Sequence, residues 1–231
     1  MTAILSNLQA TRAAVAQAAQ AALRDPDAVR LLAVSKTFPA EAVREAYRAG
    51  QHAFGENYVQ EAVDKIQALH DLPLEWHFIG PIQSNKTRDI AQHFAWVHGV
   101  DRLKIAERLS AQRPAYLPPL NICLQVNVSG EDSKSGVAPG EVEALAVQVA
   151  QLPNLRLRGL MAIPAPADDP VIQRLPFARM RALLQQLNSY GLQLDTLSMG
   201  MSHDYPAAIA EGATIVRIGT AIFGARARAQ A

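Results

Sequence analysis

The sequence predicts a single (β/α)8 barrel preceded by one extra helix, and three observations carry that prediction. Short apolar segments alternate with stretches of helical periodicity along almost the whole chain, the pattern of a parallel sheet with helical crossovers. Eight such units fall within about 200 residues, the size of a closed barrel. The first apolar segment, Leu31-Leu32-Ala33-Val34, is continuous, as suits a strand covered on both faces. The rival is an open doubly wound sheet, which places a glycine-rich turn after its first strand; Ser35-Lys36-Thr37-Phe38-Pro39 is no such turn. No linker or short repeat divides the chain, so residues 1–231 are read as one domain.

Taken in order, residues 3–23 are rich in alanine and glutamine, good helix formers, and Pro26 interrupts the pattern. The first strand is 29–35. Pro39 opens a helix with Ala42, Val43, Ala46 and Tyr47 on one side until Gly50 closes it. The second strand, 52–54, precedes a helix in which Val59, Ala62, Val63, Ile66 and Leu69 recur at three- and four-residue intervals. A third strand at 75–79 stops at Gly80-Pro81, and Gln83-Ser84-Asn85-Lys86 opens a helix to about His93. The fourth strand is 95–98, and Asp101 is the expected N-cap of a helix ending near Arg113. Residues 121–128 form the fifth strand, whose polar, glycine-flanked exit at 129–136 is a place for function. A helix at 139–152, a sixth strand at 157–163 and a long helix through Asn188 follow. The chain closes with a strand at 192–199, a short helix at 205–211, the eighth strand at 214–218 and a helical turn at 221–223.

Composition narrows the function classes. Apolar residues make up 49% and charged residues 19%, which describes a folded chain rather than a disordered one. A formal net charge of +1 argues neither for a nucleic-acid surface nor for an anionic membrane, with local basic patches left open, and no nucleic-acid or membrane partner is expected. Small anions remain open, since a few local donors hold them. Cys123, the one cysteine, precludes an intrachain disulfide and is expected to be a buried small hydrophobe. No leader-like or membrane-length apolar run is present, so a cytoplasmic protein without a membrane partner is expected. His52, His70, His77, His93, His98 and His203 include no HExxH pair, and no metal site is expected.

In a barrel the C-terminal strand ends converge on one mouth. Those ends read Lys36; Glu56 and Asn57; His77; the 127–136 loop; Met161; Met199-Gly200-Met201-Ser202-His203; and Arg217-Ile218-Gly219-Thr220. A lysine at a strand mouth is paired, snorkels to water, or serves as a nucleophile when neutral. The glycine-bearing ends after the seventh and eighth strands lie where barrels bind phosphate, with backbone donors and the hydroxyls of Ser202 and Thr220; the alternative is a pair of ordinary turn glycines. A phosphate opposite a strand-one lysine suggests pyridoxal 5'-phosphate, whose aldehyde forms a Schiff base with an amine. Arg217 facing the ring nitrogen would leave that atom unprotonated and weaken the ring as an electron sink. Strand period alone does not fix where Arg217 points, and an ion pair at the surface or barrel bottom is its alternative.

The sequence resembles the YggS/PROSC group of pyridoxal-phosphate homeostasis proteins over nearly its whole length. The likeness rests on Ala33-Val34-Ser35-Lys36-Thr37, Phe54-Gly55-Glu56-Asn57-Tyr58-Val59-Gln60-Glu61, Trp76-His77-Phe78-Ile79-Gly80 with Gln83-Ser84-Asn85-Lys86, Asn127-Val128-Ser129-Gly130-Glu131, Arg158-Gly159-Leu160-Met161, Leu197-Ser198-Met199-Gly200-Met201-Ser202 and Val216-Arg217-Ile218-Gly219-Thr220. The resemblance implies a barrel similar to the N-terminal domain of alanine racemases. In that barrel Lys36 carries the cofactor, while Ser202, Gly219 and Thr220 hold its phosphate beside the Met201 backbone. Arg217 then addresses the pyridine nitrogen, and Asn57 and His77 stand as pocket walls. Ile82, His203 and Ala213 depart from common family residues, and His203 lies beside the expected phosphate.

The same resemblance implies a cofactor carrier with little or no turnover. A racemase of this fold uses a second acid/base from another domain, for which a chain ending at Ala231 leaves no room; Tyr58 and Tyr205 are the candidate substitutes, and the pattern places neither of them facing the cofactor. The alternatives are a pyridoxal-phosphate racemase or lyase acting on a small substrate, and an aldolase using Lys36 on a sugar phosphate. A monomer is expected, with apoenzymes that accept the cofactor as transient partners.

Overall fold

The structure, a computed structural model, describes residues 2–130 and 135–225. Part of the expected functional loop at 129–136 therefore lies outside the described residues. Eight parallel strands close into a barrel in sequence order, β1 pairing with β8. They are β1 (Arg30–Val34), β2 (Ala53–Glu56), β3 (Glu75–Phe78), β4 (Trp96–Val100), β5 (Leu120–Gln125), β6 (Leu155–Met161), β7 (Thr196–Ser198) and β8 (Ile215–Ile218). The helices are α1 (Ala3–Ala21), α2 (Ala40–Arg48), α3 (Val59–Ala68), α4 (Thr87–His93), α5 (Leu103–Gln112), α6 (Val142–Ala150), α7 (Pro170–Ser189), α8 (Tyr205–Ala210) and α9 (Thr220–Phe223).

The extra helix α1 buries Leu8, Val15 and Ala19 and is tied to both ends of the ring. Arg12 donates to the Ala49 and Gly50 carbonyls after α2, and Arg24 donates to Ile209 and Ala213 around the end of α8. These arginines neutralise carbonyls that helix ends leave unsatisfied.

Strand ends shift by one or two residues at β2, β4 and β6, and three further expectations have a physical reason for their correction. Asp101 does not cap α5: Arg102 occupies the N-cap without a side-chain bond, and the Asp101 carboxylate instead holds the Arg102 guanidinium at 2.6 Å. The fifth strand ends at Gln125: the Val126 N–H still reaches the Met161 carbonyl of β6, but the Gln125 carbonyl and the Asn127 N–H both turn to Val137, so Val126 pairs only as an isolated bridge. The seventh starts only at Thr196, because Asn188 binds both the N–H and the C=O of Leu194 and withdraws that residue from the sheet.

Alternation along the strands separates two cores. Phe54, Trp76, Phe78, Val97 and Val216 face the helices. Leu32, Val34, Ala53, Ile79, Trp96, Cys123, Met161 and Ile215 fill the barrel interior. Cys123 is fully buried, as expected, and burial pushes its thiol up to about 12. Among the described residues no helix is long and apolar enough to cross a membrane.

Candidate functional site

The C-terminal strand ends enclose a cleft of about 200 Å3. Seven of the eight predicted site residues line it: Lys36, Asn57, Met201, Ser202, Arg217, Gly219 and Thr220. Phe38, Ile79, Ile163 and His203 complete much of the wall. Gly200, in the turn between β7 and α8, has φ +96°, and a Cβ there would come within 2.7 Å of Ala208 Cβ. It is thus more than an ordinary turn glycine: any side chain would be strained and would push Met201 and Ser202 off α8. The Met201 N–H is occupied by Asp204 Oδ1 at 2.6 Å, so Met201 lines the cleft without offering it a backbone donor.

Lys36 stands two residues past the end of β1, half-buried, on backbone clamped from outside the barrel. Ser35 Oγ donates to the buried Glu56 carboxylate at 2.6 Å. The Lys65 ammonium, from α3, reaches the Ser35 carbonyl and Glu56 at 2.8 Å each and Glu61 at 2.6 Å. Glu61 in turn accepts the Thr37 N–H at 2.6 Å. Thr37 holds φ +67°, a left-handed conformation that a β-branched residue adopts only when its surroundings impose it. Sequence reading missed this clamp. Its signal was Lys65 falling on the apolar stripe Val59, Ala62, Ile66 of α3, where a cation must find buried partners.

Arg217 points inward, which resolves the question its sequence left open. It is 4% exposed, donating to the Ser198 carbonyl at 2.6 Å, Ser198 Oγ at 2.8 Å and the Ala162 carbonyl at 2.9 Å. Burial lowers its pKa to about 10, so it is a cation at neutral pH. His77 is not part of the wall. Its ring is fully buried in the barrel interior, between Glu75 and His98 and stacked on Trp96 at 5.4 Å. The sequence analysis set His77 among the strand ends although its strand was expected to run to Ile79; the ring turns into the barrel interior below the cleft, and Ile79, two residues on, takes the cleft position.

The residues present fit a pyridoxal phosphate. Asn57 Oδ1 in the wall is buried without a hydrogen-bond partner among the described residues, which points to a donor supplied by a ligand. At Gly219 a Cβ would come within 2.9 Å of the Val34 carbonyl, so the end of β8 keeps its backbone bare. The N–H groups of Ser202, Gly219 and Thr220 donate to no group among the described residues, leaving donors suited to an anion.

Comparison with known proteins agrees. Residues 6–227 match the family described as alanine racemase, N-terminal domain, which places the chain in the class of alanine-racemase-like barrels. The pyridoxal phosphate homeostasis protein of Pseudomonas aeruginosa is 68% identical over 226 residues, covering 98% of this chain and 97% of that one. Its Escherichia coli K12 namesake is 56% identical over 229 residues, covering 98% of each. PipY of Synechococcus elongatus, solved with pyridoxal phosphate bound, superposes with a TM-score of 0.83 at 40% identity, over 96% of this chain and all of PipY. The chain belongs to the pyridoxal phosphate homeostasis protein family, the YggS/PROSC group. Alanine racemase from Corynebacterium glutamicum shares the fold at a TM-score of 0.71 and 18% identity, with 59% of its length covered.

Proposed function

We propose that this protein binds pyridoxal 5'-phosphate covalently through Lys36 and holds it inside the cell with little or no turnover. The observation that carries the reading is one cleft lined by Lys36 together with Ser202, Gly219 and Thr220. When bound, the cofactor supplies an aldehyde that condenses with a lysine amine. The chain's own residues do the rest. Ser202, Gly219 and Thr220 hold the phosphate through N–H and hydroxyl groups, Asn57 accepts a hydrogen bond through Oδ1, and Arg217 presents a fixed cation to the ring nitrogen. Family relatives named for pyridoxal phosphate homeostasis support the same role.

Three features favour holding over catalysis. About 200 Å3 is small beside the roughly 300–1,000 Å3 of typical ligand sites, leaving little room for a substrate beside the cofactor. Among the described lining residues, Lys36, His203 and Arg217 are the ionisable ones, and neither Tyr58 nor Tyr205 is among them. A cationic Arg217 also weakens the ring as an electron sink. Transient delivery to apoenzymes, a monomeric state and a cytoplasmic setting complete the proposal.

Borohydride reduction of protein supplied with the cofactor, followed by peptide mass spectrometry, tests it. The cofactor mass is expected on the peptide containing Lys36 and absent from a Lys36→Ala variant. No adduct on Lys36 overturns the reading. Incubation with a panel of amino acids in deuterated water tests the second half; α-proton exchange or a changed enantiomer establishes an enzyme instead.

The bare backbone at Gly219 makes a further prediction. In Gly219→Ala the Cβ would crowd Val34, 2.9 Å from its carbonyl oxygen and 3.2 Å from its Cβ, forcing the end of β8 outward. Overpacking of this size is worth about 1–3 kcal/mol, so cofactor affinity should fall by about tenfold or more in a fluorescence titration.

A further inference from the structure

Beneath the cleft an unbroken line of hydrogen bonds crosses the barrel interior. It starts at Glu75, whose side chain is 35% exposed at the N-terminal end of the barrel and paired with Arg30 at 2.7 Å. His77 Nε2 lies 2.6 Å from Glu75 Oε1, and His77 Nδ1 lies 2.9 Å from His98 Nε2. His98 Nδ1 lies 2.7 Å from Ser198 Oγ, and Ser198 Oγ lies 2.8 Å from Arg217 NH1. The line ends on Arg217, the one arginine among the described residues of the cleft wall. Both rings and Ser198 are fully buried.

Proton counting gives this line a direction. A neutral imidazole has one N–H and one lone pair. Burial lowers the pKa of both rings, that of His98 well below 6.5, so both are neutral at pH 7. Burial opposes ionisation of Glu75, but the bond from His77 and the nearby Arg30 outweigh it and hold its carboxyl below the ordinary range. An ionised Glu75 only accepts, so His77 carries its proton on Nε2. His77 Nδ1 is then a lone pair and requires the proton of His98 on Nε2. His98 Nδ1 is therefore a lone pair too, and Ser198 must donate to it. The Ser198 lone pairs are left for Arg217, and every bond runs the same way from arginine to carboxylate.

We infer that Ser198, oriented through His98 and His77 by Glu75, is a positioning residue that locks the Arg217 guanidinium into the orientation the cofactor ring meets. Both hydrogens of NH1 are consumed by Ser198 and one of NH2 by Ala162. That leaves Nε and one NH2 proton as donors for an acceptor in the cleft. With its hydroxyl removed, NH1 loses one of its two partners, and the Ser198 and Ala162 carbonyls alone hold the planar group. The inference rests on the proposed cofactor reading for its ligand, but the tautomers belong to the chain itself.

Two measurements test it separately. Long-range 15N–1H correlation spectra of histidine-labelled, cofactor-free protein at pH 7.5 should show both buried rings as neutral Nε2–H tautomers. An Nδ1–H or doubly protonated ring at either position overturns the inference. In cofactor-loaded protein, Ser198→Ala should bind the cofactor about tenfold more weakly, the loss of one charge-assisted hydrogen bond. It should also shift the bound cofactor's absorption band, and Ser198→Thr should restore both. Wild-type affinity and spectrum in Ser198→Ala overturn the positioning role. Failure of the wild type to bind cofactor overturns the functional reading instead, and the tautomer spectra still decide the direction of the line.

Discussion

Lys65→Met should lower the stability of the protein by about 3–5 kcal/mol, the penalty for leaving one partner of a buried ion pair uncompensated. Lys65 is 6% exposed and Glu56 not at all, so solvent cannot replace the lost cation. Burial already raises the Glu56 pKa against the pull of Lys65, and without Lys65 the carboxylate would take up a proton to remain inside. Glu56→Gln combined with Lys65→Met removes the stranded charge and should recover part of the loss, which makes the pair non-additive. Urea denaturation of the four proteins measures both effects. A single-variant loss below about 1 kcal/mol would show that the cluster contributes little. The same substitution reaches the function, because Lys65 and Glu61 bind the backbone on either side of Lys36. Slower borohydride-trapped adduct formation on Lys36 is expected in Lys65→Met.

The barrel was legible because each strand is short, apolar and followed by a helix-period stretch, and barrel closure then follows from the count. The residues around the cleft were legible for the same reason, since strand ends in a parallel barrel share one face. What stayed hidden depended on facts that spacing does not carry. The direction of Arg217 depends on register within β8, and a four-residue strand reads either way. His77 and Ile79 share one face of their strand, and spacing does not say which of the two reaches the cleft; Ile79 does. The ends of β5 and β7 lie short of the apolar runs because the Asn127 N–H goes to Val137 rather than to β6, and because both backbone groups of Leu194 go to the Asn188 side chain. Asp101 fits the N-cap rule, and Arg102 beside it wins the carboxylate. Local rules place elements; competition among neighbours decides who bonds to whom.

The interior histidines should make the protein sensitive to mild acid. Both rings have pKa values below the ordinary 6.5 when folded, burial being the main cause, and His98 is pushed down further by His77, Arg217 and Arg30. The unfolded chain therefore binds protons below pH 6.5 that the folded chain refuses. The stabilisation is complete above pH 6.5 and is lost as pH falls from there toward the folded values. Where both rings differ fully between states, the slope is about 2.7 kcal/mol per pH unit, about 1.4 for each. Glu56 acts in the opposite sense, since its raised pKa makes the folded state bind a proton more readily above pH 4.5. His98→Asn separates the two contributions, because it removes one titrating ring and leaves Glu56 in place. Urea denaturation between pH 7.5 and 5.5 should give a slope in the variant shallower than that of the wild type by one ring's share, up to about 1.4 kcal/mol per pH unit. Equal slopes would mean that His98 is not held neutral inside the barrel, and the hydrogen-bond line from Glu75 to Arg217 would lose its direction with it.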